Sequence, residues 1–457
     1  MAVQTGSLEN SLRKLLDDKK YQTLKDILTT MNGADIAAVF EDMDEERIPL
    51  LFRLLPKELA AETFAELSPE LQEHLIRGFS DKELREVVSE LYVDDAADLV
   101  EEMPASVVKR ILAQADPQMR REINEILRYP ENSAGSIMTT EYVSLRPSMT
   151  IAEALQRIRR TGVDKETIYT CYVTEERRLL GTVSVKHMLL APDENTPVSR
   201  IMDEHVISVS TLTDQEEVAQ MLSKYNFLAL PVVDTDGRMV GIVTFDDAID
   251  VLVEETTEDI EKMAGMLPSE KSYLRSTPWD LFKHRIPWLM LLMVSATFTG
   301  MIITGFESAL AAQVVLTAFI PMLMDTGGNS GSQASVTVIR ALSLGELDLS
   351  DLPKVVWKEI QTAVLCGVAL AALCFVKIMV FDRLVLGNSD ITVMTAFVVC
   401  LTMALTVLVA KIVGCTLPLI AKKLGFDPAV MASPFITTIV DALSLLVYFG
   451  IASALLF

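Results

Sequence analysis

Apolar residues change their spacing along the chain. In residues 1–130 they recur at helical intervals, as in Leu67, Leu71, Leu75 and Ile76, then Leu84, Val87, Val88 and Leu91. That is one face of a series of amphipathic helices. Pro56, Ser68-Pro69, Ser80-Asp81 and Met103-Pro104 cut the series into short pieces. Ser68-Pro-Glu-Leu and Ser80-Asp-Lys-Glu have the form of helix N-caps. Short helices at a loose repeat predict a small all-α superhelical stack. Past residue 280 the periodicity gives way to long apolar runs at 286–306, 309–342, 355–385, 391–420 and 429–456. Each reaches the ~20 residues that a membrane-crossing helix needs, and the longer ones predict tilt or breaks.

Between these regions a pattern occurs twice. Ile137-Met138 recurs as Ile201-Met202, Thr150-Ile-Ala-Glu153 as Thr213-Asp-Gln-Glu216, and Gly181-Thr-Val-Ser184 as Gly241-Ile-Val-Thr244. Each copy reads strand, helix, strand, strand, helix. The second carries a capping box at Thr213–Glu216 and a hairpin turn at Asp236-Gly237. The duplication over residues 136–252 resembles a tandem pair of cystathionine-β-synthase (CBS) domains. Such pairs often bind adenine nucleotides, and the resemblance places Thr244 and Asp247 on a ribose. The first copy has Lys186-His187 at the acidic positions, so the resemblance implies a single site for ATP or another adenine nucleotide.

Two features of the apolar region point to ions. Asp441 is the only charged side chain in residues 428–457. A carboxylate at mid-membrane costs at least ~3 kcal/mol, so it normally faces a water-filled or protein-lined path. With no basic neighbour in its own helix, its simplest partner is a passing cation; a protonated carboxyl bonded to another span is the bland alternative. The second run is interrupted by Asp325-Thr-Gly-Gly-Asn-Ser-Gly-Ser-Gln333. Broken backbone at membrane depth is tolerated where it lines a cavity, which makes Asp325, Gly328 and Asn329 candidate pore residues beside Asp441. Close helix packing through small residues is the other reading of the glycines.

Charge divides the chain further. Residues 277–457 carry 11 acids and 10 bases, whereas residues 1–276 carry 52 acids and 30 bases, a net of −22. A surface this acidic repels nucleic acid and anionic lipid and concentrates cations. Lys283, Arg285, Arg340, Lys354, Lys358, Lys422 and Lys423 fall on one side of the five expected spans, and Arg383 alone, among acids, on the other. That bias predicts a cytosolic N-terminus and an extracytoplasmic C-terminus, in keeping with an N-terminus that has no apolar signal segment. The five cysteines form no C-x-x-C pair, and the four histidines are scattered; neither a disulfide framework nor a soft-metal site is expected. No nucleophile–base pair or phosphate-binding loop suggests an enzyme. Residues 246–261 hold eight acids and no base. A solvated face is the usual meaning of such a run, but its imbalance and its place just before the first span favour a hard divalent cation held by carboxylates and water.

At this point the chain resembles the MgtE family of magnesium channels over essentially its full length. The resemblance rests on the order of parts and on Thr213-Asp-Gln-Glu-Glu217, Asp246-Asp-x-x-Asp250, Thr257-Glu-Asp-Ile260, Gly305-Phe-Glu-Ser308, Thr326-Gly-Gly-Asn-Ser-Gly-Ser-Gln333 and Thr438-Ile-Val-Asp441. It implies a multidomain α-helical membrane protein. The parts would be an acidic N-domain (1–130), a CBS pair with α/β fold (131–252), an acidic connecting or plug helix (253–280) and a five-helix pore domain (281–457). It implies a homodimer in the cytoplasmic membrane with one pore between subunits, lined by Asp441. Cytosolic Mg2+ would close that pore by bridging acids. Carried over, these are Glu62, Asp94 and Asp98 in the N-domain, and Asp214, Glu216, Asp247, Asp250, Glu255, Glu258 and Asp259 in the CBS pair and plug helix. Asp325 is an added carboxylate that the family does not share throughout. A carrier exchanging Mg2+ for Na+ or H+, and a membrane-bound CBS sensor without flux, are the competing readings.

Overall fold

The helical spacing of the first third becomes a run of short helices, including Lys57–Ala65, Pro69–Gly78, Asp81–Val88, α1 (Val93–Glu102) and Ala105–Gln114. Their apolar faces share one core around Phe40, Phe64, Leu75 and Leu84. Ser80 forms the expected capping box: its Oγ accepts from Glu83 N, and its own N–H donates to Glu83 Oε2 at 2.7 Å. Ser68 differs. Its side chain makes no cap bond, and its N–H donates instead to Glu41 Oε1 of another helix at 2.8 Å. The start of that helix is fixed by Pro69 and by this tertiary bond.

This computed structural model describes residues 11–269, 273, 276–431 and 433–456, in two compact units, Met1–Leu252 and Val253–Phe457. In the first, the duplicated segment forms two three-stranded sheets. One holds β1 (Ser144–Leu145), β2 (Thr170–Glu175) and β3 (Arg178–Ser184); the other holds β4 (Val209–Ser210), β5 (Ala229–Val233) and β6 (Met239–Thr244). In each sheet the first pair is parallel and the second antiparallel. The repeated motifs meet across the copies. Thr139 exchanges backbone bonds with Ile242, and Asp203 with Thr182. A Cβ on Gly241 would lie 2.7 Å from Met138 Sδ, and one on Gly181 2.9 Å from Met202 Sδ. Each copy thus needs its glycine because the other copy's Ile-Met segment lies against it. The second helix start is shifted by one residue from expectation. Asp214, not Thr213, is the cap, accepting from Glu216 N at 2.9 Å, while Thr213 Oγ1 accepts from Ser210 N. The Asp236-Gly237 turn is present, with Gly237 at φ +74°.

α2 (Phe245–Met263) carries the acidic run. In the second unit, α3 (Pro278–Gly305), α4 (Ile320–Ser343), α5 (Leu352–Val376), α6 (Val393–Lys423) and α7 (Ser433–Leu456) follow. Among the described residues four stretches are long and apolar enough to cross a membrane: Pro278–Gly305, Leu349–Val385, Val393–Lys423 and Pro428–Leu456. The second expected span does not join them. It begins as a short helix, Glu307–Ala312, and a 3-10 turn, Val314–Phe319, and continues as the more polar α4. The expected break at Asp325–Gln333 is absent, because α4 is helical throughout. Its glycines are there for packing. A Cβ on Gly327 would lie 2.7 Å from Thr406 Cγ2 and 2.8 Å from Ser444 Oγ, and one on Gly331 2.9 Å from Ile436 Cγ2. On α6, Gly414 abuts the Gly331 backbone itself. Small residues let α4 sit deep between α6 and α7. The second core, around Leu316, Phe319, Tyr448 and Phe449, closes one end of this bundle, and Tyr448 Oη donates to Leu316 O at 3.0 Å. Lys411 on α6 forms a buried ion pair with Glu359 on α5 at 3.5 Å.

Candidate ion sites

In the first unit the carboxylates gather at the start of α1. Asp94 is 8% exposed, and its Oδ1 has no hydrogen-bond partner. Burial, and then the charges of Asp247, Asp95 and Glu166, hold its carboxyl well above the usual range. Burial followed by Asp247 and Glu66 pushes Asp95 up to about 6. Asp98, at the solvent edge, is pushed to about 7 by desolvation and then by Asp95 and Asp247. Asp247 rises to about 6 through burial, opposed by a hydrogen bond that it accepts from Thr244 Oγ1.

Glu166 belongs to the same group. Burial, then Asp247 and Asp246, raise it to about 8, and its Oε2 is buried without a partner. Its backbone N–H donates to Glu141 O at 3.0 Å, and Glu141 Oε2 accepts from Val93 N, at the start of α1. Glu166 and Asp95 were not expected from the sequence. Glu166 lies in a loop between motifs, and nothing in its own neighbourhood marks it. Asp95 sits beside Asp94 in Asp94-Asp95, a doublet that was the available signal.

Burying a charge without a partner is unfavourable by several kcal/mol, and a bound cation removes the penalty. Two orphaned carboxylate oxygens among mutually repelling acids therefore fit a divalent ion. Among the described residues no three Asp, Glu, His or Cys side chains form a ready-made metal cluster.

The other expected sensor acids are dispersed. Glu62 is exposed on Lys57–Ala65, and Glu66, one turn on, is the glutamate that acts on Asp95. Asp214 is committed to its helix cap, and Glu216 accepts from Gln220 at 3.2 Å. Asp250 is exposed on α2 and shifted upward by desolvation and then by Asp246. Glu255, Glu258 and Asp259 lie half-buried farther along α2. Thr244 and Asp247, the expected nucleotide residues, are in direct contact.

In the second unit Asp325, Asn329 and Gln333 follow one another at intervals of four along α4, and all three are exposed in the protomer. This stripe lies opposite the glycines that pack on α6 and α7. Gly328, buried, has Thr437 against it, where a Cβ would lie 3.0 Å from Thr437 Cγ2. Asp441 on α7 is half-buried and within electrostatic reach of Asp325. A row of one carboxylate and two amides is unsuited to lipid and is better matched by water, ions or another polar surface.

Comparison with known proteins finds matches along the chain. A family model described as a divalent cation transporter matches residues 320–451, one for the MgtE intracellular N domain matches 31–132, and CBS-domain models match 134–194 and 198–254. The chain is 38% identical over 451 residues to magnesium transporter MgtE of Thermus thermophilus, covering 98% of both chains. It is 33% identical over 442 residues to magnesium transporter MgtE of Bacillus subtilis, covering 96% of this chain and 95% of that one. The crystal structure of the cytosolic domain of the Mg2+ channel MgtE in complex with ATP superposes with a TM-score of 0.51 at 40% identity, over 53% of this chain and 99% of that one.

Proposed function

The chain belongs to the MgtE family of magnesium transporters, and from that premise we propose that it is a Mg2+-selective channel closed by cytosolic Mg2+. It is a multi-pass membrane transporter and not an enzyme. The observation that carries the channel reading is the polar stripe of α4, Asp325, Asn329 and Gln333, exposed on the protomer while Asp441 lies within electrostatic reach of Asp325. Two copies joined as a homodimer would turn those stripes toward one another and enclose a polar path. On this reading α4, with the short helix and turn before it, is the fifth span. The N-terminus is cytosolic and the C-terminus extracytoplasmic, in the cytoplasmic membrane. Asp441 faces the ion, and Asp325, Gly328 and Asn329 line its route.

Hydrated Mg2+ would be recognised largely through its water, with carboxylates and amides accepting from the inner hydration shell. Closure follows from the acids of the first unit and of α2. The sensor set comprises Glu62, Asp94, Asp98, Asp214, Glu216, Asp247, Asp250, Glu255, Glu258 and Asp259, to which the buried cluster adds Asp95 and Glu166. Without a cation, burial and mutual repulsion oppose the compact arrangement. With Mg2+ bound, the same groups hold it together. A ligand shifts such an equilibrium only through its differential affinity for the two states, and closely spaced acids exist only in the compact one. The cytosolic-domain relative was crystallised with ATP, which supports an adenine nucleotide at Thr244 and Asp247.

The test is Mg2+ flux into proteoliposomes, with the soluble domain's face bathed in low or high Mg2+. Flux that falls as Mg2+ rises on that face supports a gated channel. Flux that requires a Na+ or H+ gradient would indicate a coupled carrier, and no flux under any condition a sensor.

A further inference from the structure

The last turns of α2 are seated on the pore helices by contacts that include a lysine. Lys262 Nζ lies 2.6 Å from Glu258 Oε1, one turn back on the same helix, and 2.6 Å from Asp427 Oδ2, in the loop before α7. Asp427 is itself fixed, since its Oδ1 accepts from Ala429 N at 2.8 Å. Beside this pair, Asp259 Oδ2 accepts from Ser343 Oγ at the end of α4, at 3.0 Å. Met263 packs on Ile339 and Ala429. Two residues on, Gly265 turns the chain at φ +70°, so close to Pro434 that a Cβ would lie 2.9 Å from its Cγ.

Glu258 and Asp427 each act electrostatically on Asp259 and on Lys262, which lies between them. We propose that Lys262 is the positioning residue that docks the acidic helix on the pore helices, its ammonium acting as a built-in cation between Glu258 and Asp427. The proposal rests on the reading of α2 as the closing element. It adds that part of the closing contact is independent of Mg2+. Without the ammonium between them the acids of α2 repel Asp427, so the docked state is less populated at any given Mg2+. The lysine thereby sets how much Mg2+ is needed to close.

The variants are Lys262→Met, which keeps the aliphatic stem, Lys262→Arg, which keeps the charge, and Asp427→Asn. Flux through the full chain in proteoliposomes is measured against Mg2+ on the face bearing the soluble domain. Lys262→Met should need about fivefold more Mg2+ for half-closure, at unchanged maximal flux. Lys262→Arg should stay near the wild type. Asp427→Asn should shift less than Lys262→Met, because it removes the bridge together with one of the repelling acids. A wild type that closes with Mg2+ beside a Lys262→Met midpoint unchanged from it overturns the proposal, and so does a Lys262→Met variant that loses only maximal flux.

A second readout separates the proposal from the gating reading. Met263→Cys and Ala429→Cys are cross-linked in membranes depleted of Mg2+, with and without Lys262→Met. Several-fold lower cross-linking without the lysine supports the docking role even where flux is not gated. Equal cross-linking overturns it.

Discussion

Neutralising Glu166 tests the buried acid cluster away from the membrane. Its carboxyl, ordinarily near 4.5, is raised to about 8, first by burial and then by Asp247 and Asp246. A raised folded value means that the folded protein holds the proton more tightly than the unfolded chain does. The stabilisation is complete below the unfolded value and is lost as pH climbs from about 4.5 through about 8. Glu166 is only half-buried, so solvent screening leaves the loss at pH 7.5 well below what the full shift would give. Because Asp95 and Asp247 titrate with it, part of the penalty belongs to the group, and Glu166→Gln should return about 2 kcal/mol. The assay is hydrogen exchange of the α1 amides, residues 93–102, in the full chain with chelator present. Exchange should slow about thirtyfold at pH 7.5, and the gain should fall below about 1 kcal/mol at pH 5. With saturating Mg2+ the order should reverse, because the variant then lacks a carboxylate that the ion uses. Unchanged exchange at pH 7.5 without Mg2+ would refute the claim that Glu166 is a buried carboxyl whose ionisation the fold opposes.

Other outcomes follow from single contacts. Gly414→Ala places a Cβ against the Gly331 backbone, which cannot turn aside; overpacking should cost about 1–3 kcal/mol and lower thermal stability in detergent. Gly450→Ala, with open space around it, is the control and should leave stability unchanged or slightly raised. Thr244→Val removes the hydroxyl that Asp247 accepts from, and ATP binding measured by titration calorimetry should weaken about tenfold.

Much of this was legible from periodicity and duplication. The short-helix stack follows from apolar spacing, as at Leu71, Leu75 and Ile76, and the CBS pair from motifs that meet reciprocally in space, Gly241 on Met138 and Gly181 on Met202. Helix propensity misled at residues 325–333. Three glycines and several hydroxyls suggested broken backbone, yet their absence of side-chain bulk is what admits a continuous helix between α6 and α7. The cap at Asp214 was one residue from the motif's threonine, within the usual uncertainty of helix ends. Long-range pairings left no local trace. Glu166 joins Asp247 from 81 positions away, Lys411 finds Glu359 across 52, and Lys262 meets Asp427 across 165. Each partner in isolation looks like one more charged residue.

The central claim is that a polar path beside Asp441 conducts Mg2+ and that the soluble acids close it. The most direct measurement is Mg2+ flux into proteoliposomes for the wild type and Asp441→Ala, with low or high Mg2+ on the face bearing the soluble domain. The account predicts wild-type flux at low Mg2+, suppression at high Mg2+, and loss of flux in Asp441→Ala. Undiminished flux in the variant would remove Asp441 from the path, and wild-type flux indifferent to Mg2+ on that face would contradict the closing role of the acids.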